Sequence, residues 1–309
     1  MRIIFTGSGE FGVPTLAALL RGPHTVVQAV SQPDRPAGRG RGLTPTPVSQ
    51  AAIDAELPLL RTPDINRENL PPADVMVVIA FGQKVADAIV HHPRHGSINL
   101  HASRLPRYRG AAPINWAILN GERITGNSII RLAARMDAGA ILAQSEIAIG
   151  DVETAGELHD RLSQDGVALV EKTLDDLAAG RATETPQDDS LATLAPKLSR
   201  ASAKLDFTQS AQQLSQQIRG LSPWPGCRVK LCDAIGTELA RLRLVRARAA
   251  DGEGPRWNPG EIMTDGRIHS GAGGLEIIDC QPDGRNVMSL QDYRRGHPWP
   301  PGARLESVE

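Results

Sequence analysis

Asn99 and His101 sit two residues apart, alternating with the apolar Ile98 and Leu100, and a loop rich in Pro and Gly follows them. On a strand both would project from the same face, because side chains alternate with period two. An amide and an imidazole side by side at a strand end can donate to a developing oxyanion and shuttle a proton. Polar residues also end strands for local reasons, bonding nearby backbone. Spacing alone leaves both readings open.

The surrounding segments say what would hold such a pair. Residues 75–80, VMVVIA, form an unbroken apolar run of the kind buried on both faces of a parallel sheet, and it ends in Phe81-Gly82. Residues 2–5 read as another buried strand, followed by Gly7, Gly9 and Gly12 and then a helix over 14–20. With helices expected over 48–55, 84–90 and 113–119 and a strand over 125–132, the alternation predicts an α/β fold with a doubly wound, Rossmann-like sheet. Ligands of such sheets lie at the carboxyl ends of the strands, where both Phe81-Gly82 and Asn99/His101 fall. The glycine spacing is also a dinucleotide fingerprint, which needs an acidic residue closing the second strand. That strand, 25–30, closes instead with Ser31-Gln32-Pro33. The missing acid counts against a dinucleotide and leaves a tight turn with close helix packing as the other reading of the glycines.

Residues 31–47 carry Pro33, Pro36, Pro45 and Pro47 with three glycines, so no regular element is expected there. Arg35, Arg39 and Arg41 on this loop suit phosphate, since mobile guanidinium groups neutralise charge without needing a fixed shape. A long helical pattern over 153–179 ends at Gly180. The expected organisation is a catalytic domain over 1–185, a linker over 186–203, and a second domain over 204–309. The second domain shows about five short strands (228–232, 239–249, 260–264, 267–270, 274–281), which suit a small OB-like β-barrel. On the second of them Arg241 and Arg243 share one face, and Arg246 and Arg248 share the other unless a bulge intervenes.

Composition bounds the function. At 309 residues, 40% hydrophobic and 22% charged, the chain is an ordinary globular one with room for two domains of roughly 150 residues. A net charge of -1 means that any polyanion site must be a local patch. Three cysteines, Cys227, Cys232 and Cys280, with no Cys-x-x-Cys pair, point to idle thiols in a reducing compartment rather than to disulfides or zinc. No cluster has metal-ligand spacing, so no metal is expected. No apolar run approaches the ~18 residues of a membrane span, and the N-terminus reads as a strand rather than a signal peptide. A cytoplasmic protein is expected.

The run Asn-Leu-His-Ala-Ser-Arg-Leu-Pro-Arg-Tyr-Arg-Gly-Ala-Ala-Pro-Ile, residues 99–114, resembles the active-site signature of the 10-formyltetrahydrofolate-dependent formyltransferases. Its second half, the basic loop Pro-Asp-Arg-Pro-Ala-Gly-Arg-Gly at 33–40, Ser-Pro-Trp-Pro-Gly at 222–226 and the tail from Gln281 to Leu305 resemble in particular the tRNA-formylating members. The likeness covers nearly the whole chain. It implies transfer of a formyl group from 10-formyltetrahydrofolate to the α-amino group of initiator methionyl-tRNA, by a monomer that needs neither metal nor membrane.

The same resemblance assigns catalysis to Asn99, His101 and Asp137, the last on a turn before Gly139. It assigns folate binding to Ser103, Arg104, Leu105 and Pro106 and to the Phe81-Gly82 turn. It assigns tRNA contact to Arg35, Arg39 and Arg41, which would engage the acceptor end; from their own placement Arg241 and Arg243 on the barrel strand would either join that contact or form a solvated barrel edge. Two departures stand out. Arg104 replaces the leucine usual in Ser-Leu-Leu-Pro, and Ala133-Ala134-Arg135-Met136 lacks the earlier aspartate of the family's Met-Asp-x-Gly-Leu. A sugar-nucleotide N-formyltransferase would keep the trio without needing the barrel, a binding-only protein would not need the trio, and a nicotinamide dehydrogenase would need the missing acid.

Overall fold

The apolar segments of the first half collect into one seven-stranded sheet, ordered Ile141–Gln144, Ser128–Arg131, Ser97–His101, Val75–Ile79, Arg2–Gly7, Thr25–Ser31 and Leu59–Arg61. The computed structural model describes residues 1–37, 42–250 and 258–308. The last five strands of that order run parallel, and Ser128–Arg131 lies antiparallel to both of its neighbours. All five residues of Val75–Ile79 are buried, as are Ile3, Ile4 and Phe5. Each such side chain stabilises the fold by about 1.5–3 kcal/mol relative to exposure. A Cβ on Gly7 would come 2.6 Å from the Ile79 carbonyl, and one on Gly12 would come 3.3 Å from the Phe5 ring. The first and third glycines of the fingerprint spacing thus serve close packing, as expected.

Two readings of the first half of the chain are corrected. Residues 35–37 and 42–44 pair as a short antiparallel ribbon within the loop expected to be irregular. A two-stranded ribbon is all edge, so Pro36 is tolerated there although it cannot donate. The helix expected over 84–90 is shortened to Asp87–Val90.

Contact density divides the chain into two units. The first comprises 1–110, 125–147 and 159–194, and the second 111–124, 148–158 and 195–309. In the second, six strands form an antiparallel sheet ordered Ile268–His269, Gly274–Pro282, Glu238–Ala250, Cys227–Cys232 and Arg304–Ser307, with Met288–Ser289 also on Gly274–Pro282. Residues 260–264 make isolated bridges rather than the expected strand. Glu261 pairs with Arg304 and Ile262 with Ile268, which brings the two ends of the sheet together into a nearly closed barrel. A corner that changes partner after one residue cannot build a ladder. Val229, Leu242, Leu244, Ile277 and Leu305 pack around Leu214 and Ile218 of the helix Ala211–Gly220, which Ser210 and Gln213 start with a capping box. Among the described residues no helix is long and apolar enough to cross a membrane.

The helix Ala155–Ala178 opens with a second reciprocal cap. Thr154 N donates to Glu157 Oε2 (2.9 Å), and Glu157 N donates to Thr154 Oγ1 (3.3 Å). The same carboxylate accepts from Arg246 Nη2 (2.6 Å) and Nη1 (3.1 Å), while Arg246 Nε reaches Asp279 at 2.7 Å. Arg246 beside Glu157 holds its carboxyl down to about 2. A depressed carboxylate stabilises the fold above its unfolded value and loses that contribution as pH falls through the folded one. Glu157→Gln should therefore lower Tm at pH 7, and the gap from wild type should close between about pH 4.5 and 2. Thermal melts in steps across that window check it; a constant gap would contradict the linkage.

Candidate active site

The signature strand Ser97–His101 lies between Val75–Ile79 and Ser128–Arg131, with Asn99 opposite Val78 and Ile130 and His101 opposite Ser128. His101 is buried. Its Nε2 lies 2.9 Å from the Tyr108 carbonyl. A carbonyl can only accept, so Nε2 carries the proton. Its Nδ1 faces Asp137 Oδ2 at 3.7 Å, too long for a hydrogen bond. Asp137 Oδ2 also accepts from the Gly110 N–H at 2.8 Å. The half-buried Asn99 amide bonds to no other side chain or backbone group among the described residues, so its N–H groups remain to be used. The structure thus brings His101 and Asp137 together and sets Asn99 two residues from His101 on the same strand.

Backbone conformation at this site is unusual. Asp137 has φ +52° and Tyr108 φ +63°. The left-handed region is tolerable for Asp and a true outlier for a bulky residue. Tyr108 is held there by its N–H to Thr193 Oγ1 (2.9 Å) and by the Arg109 N–H to the Thr193 carbonyl (2.9 Å). The Asp137 turn closes against the sheet at Gly139, where a Cβ would lie 1.8 Å from the Arg131 carbonyl. Only glycine fits.

The 103–106 segment expected to bind folate is tied from below. Ser128 Oγ donates to the Ser103 carbonyl (2.6 Å) and accepts from the Leu105 N–H (3.0 Å) and Gln144 Nε2 (2.9 Å). Gln144 Nε2 also reaches the Leu105 carbonyl at 2.9 Å. Ser103 is fully buried, donating to the Arg107 carbonyl, and Leu105 is buried too. Arg104 turns to Glu146, 2.8 Å away and half exposed. The Ser103 carbonyl and both polar backbone groups of Leu105 are thus spent on Ser128 and Gln144. It can offer a pterin fixed shape and an apolar flank more than free backbone donors. At the neighbouring strand end the buried Phe81 gives its carbonyl to Gln32 Nε2 (2.6 Å), and Gly82 turns with φ +75°.

Of the basic residues, Arg35 is exposed and bonds Gln32, while Arg39 and Arg41 lie outside the described residues. On the strand Glu238–Ala250 the register shifts on both sides of Arg246. Arg241 pairs with Glu238 (2.7 Å), Arg246 with Glu157 and Asp279, and Arg248 with Glu276 (2.7 Å). Arg243 differs. Its Nη1 donates to the Pro223 carbonyl (2.9 Å), its Nε is buried without a partner, and burial followed by repulsion from Arg228 lowers its pKa. Among the described residues no group of three or more His, Cys, Asp or Glu could hold a metal ion. The three cysteines are buried, and burial pushes the Cys227 thiol up to about 12.

Residues 1–174 match the family described as formyl transferase, and residues 197–298 match the formyl transferase C-terminal domain. The chain belongs to the formyl transferase family. This formyl transferase is 41% identical over 316 aligned positions to the methionyl-tRNA formyltransferase of Geobacter sulfurreducens, covering 99% of this chain and 96% of that protein. It is 40% identical over 306 positions to the methionyl-tRNA formyltransferase of Methylococcus capsulatus, covering 96% and 97%. Among solved structures, the N-formyltransferase from Helicobacter canadensis in complex with folinic acid and dTDP-3-aminofucose superposes with TM-score 0.67 at 16% identity, over 91% of this chain and 98% of that one. HypX from Aquifex aeolicus in complex with tetrahydrofolic acid does so with TM-score 0.59 at 15% identity, over 95% of this chain and 47% of that one. At those identities the structures speak to the fold of this formyl transferase.

Sequence reading missed Gln144 and Ser128, which belong to no motif and lie 16 residues apart on neighbouring strands. Their signal exists only once the strands are paired. Ser128→Ala would remove the hydroxyl's bonds to the Ser103 carbonyl, the Leu105 N–H and Gln144 Nε2, leaving the first two only their longer bond to each other (3.2 Å), at about 0.5–1.5 kcal/mol for each bond lost. A loss of about 2 kcal/mol or more in urea unfolding is expected; a loss below 0.5 kcal/mol would mean that the hydroxyl does not hold the loop.

Proposed function

We propose that this formyl transferase moves the formyl group of 10-formyltetrahydrofolate to the α-amino group of methionyl-tRNA, as a cytoplasmic monomer serving translation initiation. The observation that carries the reading is the likeness, at about 40% identity and through both units, to proteins named methionyl-tRNA formyltransferase. Folate as the donor is supported by the family and by solved relatives that hold folinic acid or tetrahydrofolic acid. The segment Ser103, Arg104, Leu105 and Pro106 and the Phe81-Gly82 turn would flank it.

The α-amine attacks the formyl carbon, the carbonyl oxygen takes up negative charge, and the carbon–N10 bond then breaks. Asn99 Nδ2 would donate to that oxygen; removing one such donor typically costs about 10²–10³ in rate. His101, whose Nε2–H is held by the Tyr108 carbonyl, would relay a proton to the departing N10 through Nδ1. Asp137 would take the proton that the amine sheds, through Oδ1, which has no partner among the described residues while Gly110 holds Oδ2. N10 leaves with a proton, so one proton passes from amine to N10 and none is consumed.

For the tRNA we propose the Arg35, Arg39 and Arg41 loop, with Arg241 and Arg243 of the second unit. Arg243 lines a hollow of about 450 Å³ together with Arg200, Arg228, Arg241 and the half-exposed Trp224. A buried guanidinium nitrogen without an acceptor, beside a second arginine that repels it, favours an anion there. A phosphodiester supplies one.

Labelled formyl from 10-formyltetrahydrofolate is expected on methionyl-tRNA and not on free methionine or an amino-sugar nucleotide; label on the sugar alone would replace this acceptor. Asn99→Ala and His101→Ala should cut kcat by about 10² or more with tRNA affinity near wild type, by filter binding and single-turnover transfer. Arg39→Ala and Arg243→Ala should each weaken tRNA binding and flatten the plot of log affinity against log salt by about one unit. A wild-type slope in either variant removes that arginine from the phosphate contacts.

A further inference from the structure

We infer that Gln187 is a positioning residue for formyl transfer, acting through the Asp137 turn; this rests on the function proposed above. Gln187 lies in a stretch without periodicity, and all four hydrogen-bonding positions of its amide are used. Nε2 donates to the Asp137 carbonyl and to the Gly139 carbonyl, both at 2.8 Å. Oε1 accepts from Arg109 Nη2 (2.7 Å) and Nε (3.1 Å). The carbonyls can only accept and the guanidinium can only donate, so the amide has one possible orientation. Arg109 is itself buried and fixed by Asp189 at 2.8 Å, whose other oxygen holds Arg135 at 2.7 Å.

The clamp grips the turn where it is least comfortable. Asp137 is held at φ +52°, and its carbonyl and that of Gly139 are caught by one NH₂ group. That conformation aims the carboxylate at the Gly110 N–H and at His101 Nδ1. Without the clamp the 137–138 peptide keeps only the longer bond from the Ala138 N–H to the Arg135 carbonyl (3.3 Å), and the carboxylate can leave the position from which it receives the amine's proton. Gln187 touches neither His101 nor the reacting atoms; its effect passes through Asp137.

Gln187→Met keeps the side chain's length and volume but cannot grip either carbonyl. An ångström of misplacement at reacting groups costs about 10²-fold. The variant should therefore lose about 10- to 100-fold in kcat, corrected for the folded fraction, with KM for folate and for methionyl-tRNA within about twofold of wild type. Arg109→Lys, which keeps the charge but cannot fork between Gln187 and Asp189, should fall in between.

The decisive readout is a double-mutant cycle in single-turnover transfer. In an Asp137→Asn background Gln187→Met should cost almost nothing further, because its route is already gone. Wild-type kcat in Gln187→Met, or a full additional loss on top of Asp137→Asn, overturns the inference while leaving the proposed function intact. Wild-type activity on another acceptor overturns the acceptor, and the same cycle on that acceptor then decides the role of Gln187. No transfer to any acceptor overturns both.

Discussion

The imidazole of His101 is pinned between two acceptors, and much of the first unit is arranged to keep it there. Nε2 is committed to the Tyr108 carbonyl, which fixes the tautomer, and Nδ1 is left facing Asp137. Both flanking residues sit in left-handed backbone, at a cost of order 1–3 kcal/mol for a non-glycine residue outside its normal regions. Neither conformation would persist unsupported. Thr193 ties the Tyr108 side through its hydroxyl and carbonyl, and Gln187 ties the Asp137 side through its amide. One segment, 187–193, therefore braces the imidazole from both directions, and the unusual backbone is the form in which the geometry is stored.

The sheet explains why the pair stands where it does. Ser97–His101 is the last of the parallel strands, and its outer neighbour, Ser128–Arg131, runs antiparallel with Ser128 opposite His101. That reversal places a small hydroxyl at the mouth of the site instead of a further strand-to-helix turn. Ser128 then uses its one donor and its lone pairs on the loop that follows His101. Strand order, the end of the His101 strand and loop anchoring are a single constraint.

The Asn99/His101 pair was visible because alternation along a strand puts both on one face, Asp137 entered only through the family resemblance, and the doubly wound sheet was legible because buried parallel strands read as apolar runs. What stayed hidden depends on distant pairing. Gln187 meets Asp137 across 50 residues, with no period to mark it and only a proline before it. The ribbon at 35–37 and 42–44 escaped because proline and glycine argue against interior strands but tolerate an isolated edge. Residues 260–264 looked like a strand because their composition is strand-like, while their bridging to both ends of the barrel is a property of closure. Assignment of segments 111–124 and 148–158 to the second unit rests on contacts that no local pattern records.

Charge on the barrel strand follows the same logic and bears on how the proposed tRNA is met. Four arginines within eight residues form one basic stripe only if the strand is kinked. Once the register is set, Arg241, Arg246 and Arg248 each face a carboxylate, and Arg243 does not. A guanidinium that already holds a carboxylate must give it up before it can take a phosphate, so its net attraction for a polyanion is small. An uncompensated, partly desolvated one gains the full interaction. In a chain of net charge -1, non-specific attraction for nucleic acid is weak. Binding energy would then concentrate at a few uncompensated positions, and these discriminate by place: a ligand whose phosphates do not meet them gains little from the arginines beside them.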